Sequence, residues 1–189
     1  AKVAGPLAAL KKDAAVAHPS APGPEAAGTL ARTSPMNRLT PLLPAAHVVL
    51  DLDVSSKKRL FEQIGLLFEN SRQIPRARVF DSLFDREKLG STGLGYGVAI
   101  PHGRLKNLKD TLCAFVRTQL PVPFESPDGQ PVRLVLAMLV PEHATEQHLA
   151  LLSDLAQMFS DQGLREKLLA AGRGSWLGVV FGRAFPCEG

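Results

Sequence analysis

The sequence predicts an α/β fold of three layers, in which a mixed central sheet of about five strands is flanked by helices on both faces. Two observations carry this prediction. Short apolar runs typical of buried strands alternate along the chain with longer segments whose apolar residues recur at the spacing of amphipathic helices. The chain has 189 residues, 45% of them hydrophobic, which is enough to build one compact domain of ordinary size.

The first half of the domain predicts one strand followed by two helices. Val48–Leu50 is the strand candidate, and Ser55 or Ser56 can cap the first helix. The apolar residues at helical spacing in this helix are Leu60, Phe61, Ile64, Leu67 and Phe68. Pro75 suits the first turn of a second helix, which we expect to run to about Leu89. Its apolar residues are Val79, Phe80, Leu83 and Phe84.

The second half predicts two strands followed by two helices. Leu112–Val116 is a strand candidate, and residues 127–129 hold the Asp-Gly pair of a tight turn. The nearly continuous apolar run Val132–Val140 is typical of a central strand that is covered on both faces. A third helix is expected over about Thr145–Ser160, and a shorter one over about Leu164–Ala171.

The start of the chain differs from this domain. Residues 1–35 are rich in Ala, Pro and Gly and show no sustained period, which predicts a disordered N-terminal extension. Met36 opens a segment of very different composition, so we expect the domain to occupy residues 36–172.

Charge and composition exclude several classes of function. The net charge is +4, but residues 1–35 contribute +2 and residues 173–189 contribute +1, which leaves only +1 on the predicted domain. A nucleic-acid-binding domain needs a basic patch and aromatic side chains for stacking, and this chain has one Trp and one Tyr. No apolar run reaches the roughly 20 residues of a membrane span. We therefore expect neither nucleic-acid binding nor a membrane span. The two cysteines, Cys113 and Cys187, and the lack of a secretory signal favour the cytoplasm.

The most informative stretch is a glycine-rich turn that leads into Val98-Ala99-Ile100-Pro101-His102-Gly103. The apolar run predicts a buried strand, and the proline and glycine end it around one histidine. Neutral imidazole is nucleophilic, and its ordinary pKa of about 6.5 leaves much of it unprotonated at neutral pH. The stretch therefore indicates that His102 accepts and passes on a phosphoryl group.

Several motifs carry a resemblance to a known family. Glu87, Leu94-Gly95 and the stretch that ends in His102-Gly103 resemble the phosphohistidine signature of the mannitol/fructose-class enzyme IIA domains. These domains belong to the bacterial phosphoenolpyruvate-dependent phosphotransferase system. The motif over residues 86–93 is similar, more narrowly, to the nitrogen-related enzyme IIA. So is the segment from Leu139 to Leu149.

The resemblance implies roles for three residues. His102 would accept phosphate on Nε2 from an HPr-like phosphocarrier protein (NPr), with Nδ1 held by a backbone carbonyl. Arg86 would be the cationic partner of the phosphoryl group, and His148 would donate a hydrogen bond to it. Ser91 and Thr92, in the loop before His102, are weaker candidates for phosphate contacts, because Ser-Thr-Gly is also common in turns.

The implied function is that of a regulatory phosphocarrier of the nitrogen branch. Its phosphorylation state would regulate partner proteins such as transporters or sensor kinases. We expect no cofactor and no magnesium, and a weak homodimer is also an expectation. The alternatives are a sugar-transport enzyme IIA that passes phosphate to a IIB domain, and an interaction module whose histidine is never phosphorylated.

Other residues carry weaker signals. His143 and His148 are five positions apart, which is not the spacing of two metal ligands on one helical face, and the cysteines are isolated, so we expect no metal site. His47 and His143 are expected to be loop residues without a role in phosphate binding. The resembled family usually ends in an amphipathic helix, whereas residues 173–189 are rich in glycine without a helical period. This atypical C-terminal segment predicts apolar surface that is either exposed or covered by the segment itself.

Overall fold

A computed structural model describes residues 38–143, 146–172, 175, 176 and 178. The expectations for residues 1–35, for Cys187 and for most of the C-terminal segment lie outside the described residues. The four helices named here are α1 Lys57–Arg72, α2 Arg76–Lys88, α3 Glu146–Phe159 and α4 Gln162–Ala170. The six strands are β1 Val48–Leu52, β2 Gly93–Gly95, β3 Val98–Ala99, β4 His102–Leu105, β5 Leu112–Val122 and β6 Val132–Pro141. Within the described part, no helix is both long and apolar enough to cross a bilayer.

The strands form one mixed sheet in the order β1-β5-β6-β3-β2, and β4 also pairs with β6. β6 is central: it runs antiparallel to β5 and parallel to both β3 and β4. The predicted fold class, an α/β arrangement with a mixed sheet, is therefore confirmed. The sheet has six strands instead of about five, because the region around the histidine motif contains three short strands.

The two faces of the sheet bury two separate cores. Side chains alternate along β6, so Leu136 and Met138 face one side, with α3 and α4, while Val135 and Ala137 face α1 and α2. Every second residue of the nearly continuous apolar run thus serves a different core. This explains why the run has no polar alternation, and it produces the three layers.

A proline breaks the strand that leads to His102. β3 and β4 pair with β6 in one unbroken register, Val98 with Leu134 and His102 with Met138. Pro101, which has no N–H to donate to the ladder, separates the two strands, and its carbonyl accepts from the N–H of Met138 at 2.9 Å. His102 therefore opens β4, whereas the sequence predicted a histidine at the end of a strand.

The helix ends follow the predicted signals. The Ser56 side chain accepts a hydrogen bond from the N–H of Arg59 at 3.2 Å and caps α1, and Pro75 directly precedes α2. At the other end of the chain, Trp176 is only 1% exposed and packs on Phe115 with ring centroids 4.6 Å apart. Of the two outcomes expected for the C-terminal segment, coverage of the core is the one that holds at Trp176.

Candidate active site

Two hydrogen bonds determine how the ring of His102 is placed. Nδ1 lies 3.0 Å from the carbonyl oxygen of Ile100, and Nε of Arg86 lies 3.2 Å from Nε2. A carbonyl oxygen and a guanidinium N–H allow one assignment: Nδ1 carries the proton and donates it, while the lone pair of Nε2 accepts from Arg86. The ring is therefore the neutral tautomer with its nucleophilic nitrogen at Nε2.

The surroundings of His102 favour this neutral form. Burial lowers the pKa of the imidazole below its ordinary value, and the positive charges of Arg86 and Arg104 lower it further. The bond to Ile100 and the carboxylate of Glu87 act in the opposite direction and do not reverse the result. At neutral pH the ring is thus unprotonated at Nε2, which is the state that a nucleophile requires.

Arg86 lies in the last turn of α2 and bridges that helix to β4. Besides its bond to His102, its Nη1 donates to the carbonyl oxygen of Gly90 at 2.9 Å. The side chain is half-buried and held at two points. Its guanidinium is therefore oriented before any phosphoryl group arrives.

A buried carboxylate fixes the loop that holds Arg86. Glu87 accepts hydrogen bonds from Nζ of Lys57 at 2.8 Å, from the hydroxyl of Thr92 at 2.6 Å and from the N–H of Thr92 at 3.1 Å. The hydroxyl of Ser91 donates to the carbonyl of Phe124. Glu87 and these partners tie the segment after α2 to the start of α1 and to the loop after β5.

The same bonds account for where Ser91 and Thr92 lie. Both were predicted as weaker phosphate contacts, but neither side chain lines the cleft beside His102. The hydroxyl of Thr92 is buried against Glu87, and that of Ser91 is used by the Phe124 carbonyl. Both hydroxyls bond within the scaffold of the site, to partners 33 and 5 residues away, and a phosphate contact of either residue stays a prediction.

His102 opens into a cleft of about 570 Å³ between α2, β4 and α3. The residues that matter most for its chemistry are Arg86, Leu89, His102, Arg104, His148 and Leu149. The structure thus brings His102, Arg86 and His148 to one cleft. Nδ1 of His148 is buried and makes no hydrogen bond to the described residues. The leucines are exposed, Leu89 by 84% and Leu149 by 66%, and form an apolar rim.

Three charged residues that line the cleft were not predicted from the sequence. Arg104 is on β4, Asp85 on α2 and Glu146 at the start of α3. For Arg104 a signal was present, because residues two apart on a strand share a face and Arg104 is two beyond His102. Asp85 and Glu146 carried no such signal, since their positions depend on how the helices pack.

Gly103 allows α2 to lie against β4. A Cβ atom at this position would come within 2.8 Å of the backbone carbon of Ser82 and 2.9 Å of its oxygen. Only glycine fits this close approach. The contact brings the last turns of α2, and with them Arg86, to the strand that carries His102.

The other histidines and the cysteine that the structure describes lie elsewhere. His47 was predicted to be a loop residue, but it is buried in a short 3-10 turn, where Nδ1 pairs with the carbonyl of Cys113 at 2.9 Å. His143 is exposed and does not line the cleft. Burial raises the pKa of the Cys113 thiol to about 12, so this side chain behaves as an apolar core residue. Among the described residues, no cluster of three or more His, Cys, Asp and Glu side chains could hold a metal ion.

Comparisons with known proteins identify the family of the chain. The family described as "Phosphoenolpyruvate-dependent sugar phosphotransferase system, EIIA 2" matches residues 41–175. A "Nitrogen regulatory protein" of Pseudomonas aeruginosa is 41% identical over 139 residues, which are 72% of this chain and 89% of the relative. A fructose-specific EIIA component of Haloferax volcanii is 30% identical over 134 residues, 70% of this chain and 87% of the relative.

The solved structures give the same result. The crystal structure of nitrogen regulatory protein IIA-Ntr from Neisseria meningitidis is 50% identical, with a TM-score of 0.72 over 76% of this chain and 99% of that one. Mannitol IIA of Escherichia coli, at 22% identity and a TM-score of 0.62, shares the fold over 72% of this chain and 97% of that one. The chain therefore belongs to the EIIA 2 family of the phosphoenolpyruvate-dependent sugar phosphotransferase system.

Proposed function

We propose that this protein is a regulatory phosphocarrier of the nitrogen branch of the phosphotransferase system, and that Nε2 of His102 accepts the phosphoryl group. One observation carries the proposal. A neutral histidine, held through Nδ1 by the Ile100 carbonyl, presents Nε2 to a cleft beside a guanidinium. The relatives named nitrogen regulatory proteins support the regulatory part.

The donor is an HPr-like carrier (NPr) that bears phosphohistidine. The lone pair of Nε2 attacks phosphorus, a new P–N bond forms, and the P–N bond to the donor breaks. The bonding electrons return to the donor's imidazole, while the proton on Nδ1 of His102 stays in place. Such an in-line transfer requires positioning and charge neutralisation above all.

Arg86 and His148 supply the positioning and the charge neutralisation. As the phosphoryl group arrives, the Nε–H of Arg86 exchanges Nε2 for a phosphoryl oxygen, so that its hydrogen bond gains a negatively charged acceptor and becomes stronger. His148 lies in the same cleft with a ring nitrogen that makes no bond to the described residues. In this proposal its ring donates to a second phosphoryl oxygen.

The output is binding of target proteins, such as transporters or sensor kinases, according to phosphorylation state. A phosphoryl group adds nearly two negative charges beside the apolar rim that Leu89 and Leu149 form. An apolar partner surface that docks on the rim of the unmodified protein would then have to cover a dianion. The transfer needs no cofactor, and the cytoplasm is the compartment that supplies its donor.

A second candidate is a sugar-transport enzyme IIA, which passes phosphate to a IIB domain. The 30% identity to a fructose-specific EIIA component favours it. Both candidates use the same acceptor histidine and differ in what receives the phosphoryl group.

The test is reconstitution. The full chain is incubated with phosphoenolpyruvate, enzyme I and an HPr-type carrier, and acid-labile phosphate is measured on the wild type, on His102→Ala and on His143→Ala. We expect label on the wild type and on His143→Ala, whose exposed ring lies outside the cleft, and none on His102→Ala. Equal label on His102→Ala contradicts the proposal. Onward transfer to a IIB domain would favour sugar transport.

A further inference from the structure

The cleft contains a second guanidinium on the strand that carries His102. His102 and Arg104 project from the same side of β4, whereas Gly103 and Leu105 between and after them are buried. In register on β6, His102 pairs with Met138 and Arg104 with Val140. All four of these paired residues line the cleft.

The side chain of Arg104 makes fewer hydrogen bonds to the described residues than that of Arg86. Its Nη1 donates to the carbonyl oxygen of Glu142 at 3.3 Å, and this is its one side-chain hydrogen bond to the described residues. Arg86, in contrast, commits Nε to His102 and Nη1 to Gly90. Most N–H groups of Arg104 are therefore available for an anion in the cleft, while Arg86 has fewer to offer.

The charge of the cleft requires a second cation once His102 is phosphorylated. The phosphoryl group carries nearly two negative charges at neutral pH, and Arg86 supplies one positive charge. Glu146 also lines the cleft and adds negative charge to it, whereas Asp85, which lines it too, is paired with Nζ of Lys88 at 3.0 Å. With Arg86 alone, the phosphorylated cleft would hold an uncompensated anion.

We propose that Arg104 is a second phosphoryl-binding residue, which neutralises the group on His102 from the β4 side while Arg86 does so from α2. This inference rests on the proposed acceptance of phosphate by His102. The positive charge of Arg104 favours the dianionic form of the phosphoryl group and therefore lowers the pKa of its second ionisation.

The experiment measures that pKa directly. The full chain is phosphorylated with phosphoramidate, a small donor that needs no partner protein: its P–N bond breaks, ammonia leaves, and a bond from phosphorus to Nε2 forms. Phosphorus NMR then follows the pH titration of the phosphohistidine signal, which is assigned to His102 by its absence from His102→Ala. The variants are Arg104→Gln, Arg104→Lys and Arg78→Gln.

Arg78 is a matched control. Its exposed guanidinium on α2 also holds a single carbonyl, that of Lys106 at 3.0 Å, but it does not line the cleft. We expect Arg104→Gln to raise the phosphoryl pKa by roughly half to one pH unit, as loss of one nearby charge in a partly exposed site does. Arg104→Lys, which keeps the charge, and Arg78→Gln should both stay near the wild type.

Two results overturn the proposal. One is an unchanged phosphoryl pKa in Arg104→Gln. If this variant also takes phosphate from the carrier more slowly, Arg104 contacts the carrier protein instead of the phosphoryl group. The other is a wild-type chain in which His102 takes phosphate from neither phosphoramidate nor the carrier, which also removes His102 as acceptor. A chain that reacts with phosphoramidate and not with the carrier contradicts only the proposed donor, and the test of Arg104 still stands.

Discussion

Nε of Arg86 donates to Nε2 of His102 across 3.2 Å, so the arginine occupies the lone pair that the proposed chemistry uses. A cation at this position keeps the ring neutral and oriented until a phosphoryl group displaces the hydrogen bond. The positive charge of Arg86 and the fixed direction of its N–H group both act through this one contact. Substitutions at Arg86 can separate the two effects.

Arg86→Lys keeps the positive charge and loses the planar fork of N–H groups. We expect phosphorylation of His102 by the carrier to slow by roughly ten- to a hundredfold, the effect of losing one hydrogen bond to a charged group. The measurement is the initial rate of label incorporation, with Arg78→Lys as the control. A lysine variant as fast as the wild type would show that charge alone is sufficient.

The pKa of His102 should respond to Arg86 in a defined direction. Burial and the charges of Arg86 and Arg104 place this pKa below its ordinary value. Arg86→Gln removes one positive charge that opposes the imidazolium, so the pKa should rise. Histidine NMR titration of the unphosphorylated chain measures it, and Arg78→Gln should leave it unchanged. A fall of the pKa in Arg86→Gln would show that the charge of Arg86 does not oppose the imidazolium of His102.

The burial of His47 should make the free energy of unfolding depend on pH. This ring is buried, and burial lowers its pKa below the ordinary value, with the charge of Arg72 acting in the same direction. The folded state thus prefers the neutral ring. The stability it provides is complete above the unfolded pKa of about 6.5 and declines as the pH falls below it. Denaturant unfolding at several pH values should show less decline between pH ~6.5 and ~5 in His47→Gln, whose amide can still donate to Cys113. Identical pH profiles would exclude His47 as a cause.

Gly103→Ala tests the close approach of α2 to β4. The added Cβ would meet the backbone of Ser82 at 2.8 Å, so helix and strand must move apart. We expect a loss of about 1–3 kcal/mol in the free energy of unfolding, typical of overpacking, together with slower phosphorylation. Gly172→Ala is the control, since nothing lies within 4 Å of a Cβ there. Equal stability of the two variants would contradict the steric argument.

Trp176→Ala tests how much the buried indole of Trp176 stabilises the core. The indole is 1% exposed and packs on Phe115, so its removal should lower the free energy of unfolding by about 3–5 kcal/mol. Leu169→Ala, at a position that is 38% exposed, should cost much less. Thermal or denaturant unfolding measures both, and a wild-type midpoint in Trp176→Ala would show that the indole does not stabilise the fold.

The local pattern of the chain was enough to predict the layers and most helices. Apolar spacing in α1 and α2 identifies the residues that are buried, and Val132–Val140 reads as a central strand because both faces of β6 are covered. These are properties of neighbouring residues along the chain, so periodicity alone can reveal them.

The site depends on contacts that no local pattern contains. The partners of the Ser91 and Thr92 hydroxyls are decided by where Phe124 and Glu87 lie after folding. Similarly, the buried ring of His47 packs against Phe68, with the two ring centroids 5.2 Å apart. Nothing in the residues beside His47 indicates this contact. Arg86 and His148 were placed beside His102 through the family resemblance, since 16 and 46 residues of chain separate them from it.

The group that selects the reactive tautomer of His102 is a main-chain carbonyl, that of Ile100. A side-chain partner could be deleted by one codon change, whereas every amino acid placed at position 100 brings the same acceptor with it. The preference for a free Nε2 is therefore inherited with the path of the backbone. Substitutions among the surrounding apolar residues leave the tautomer of the imidazole unchanged for as long as β3 and β4 keep their register on β6.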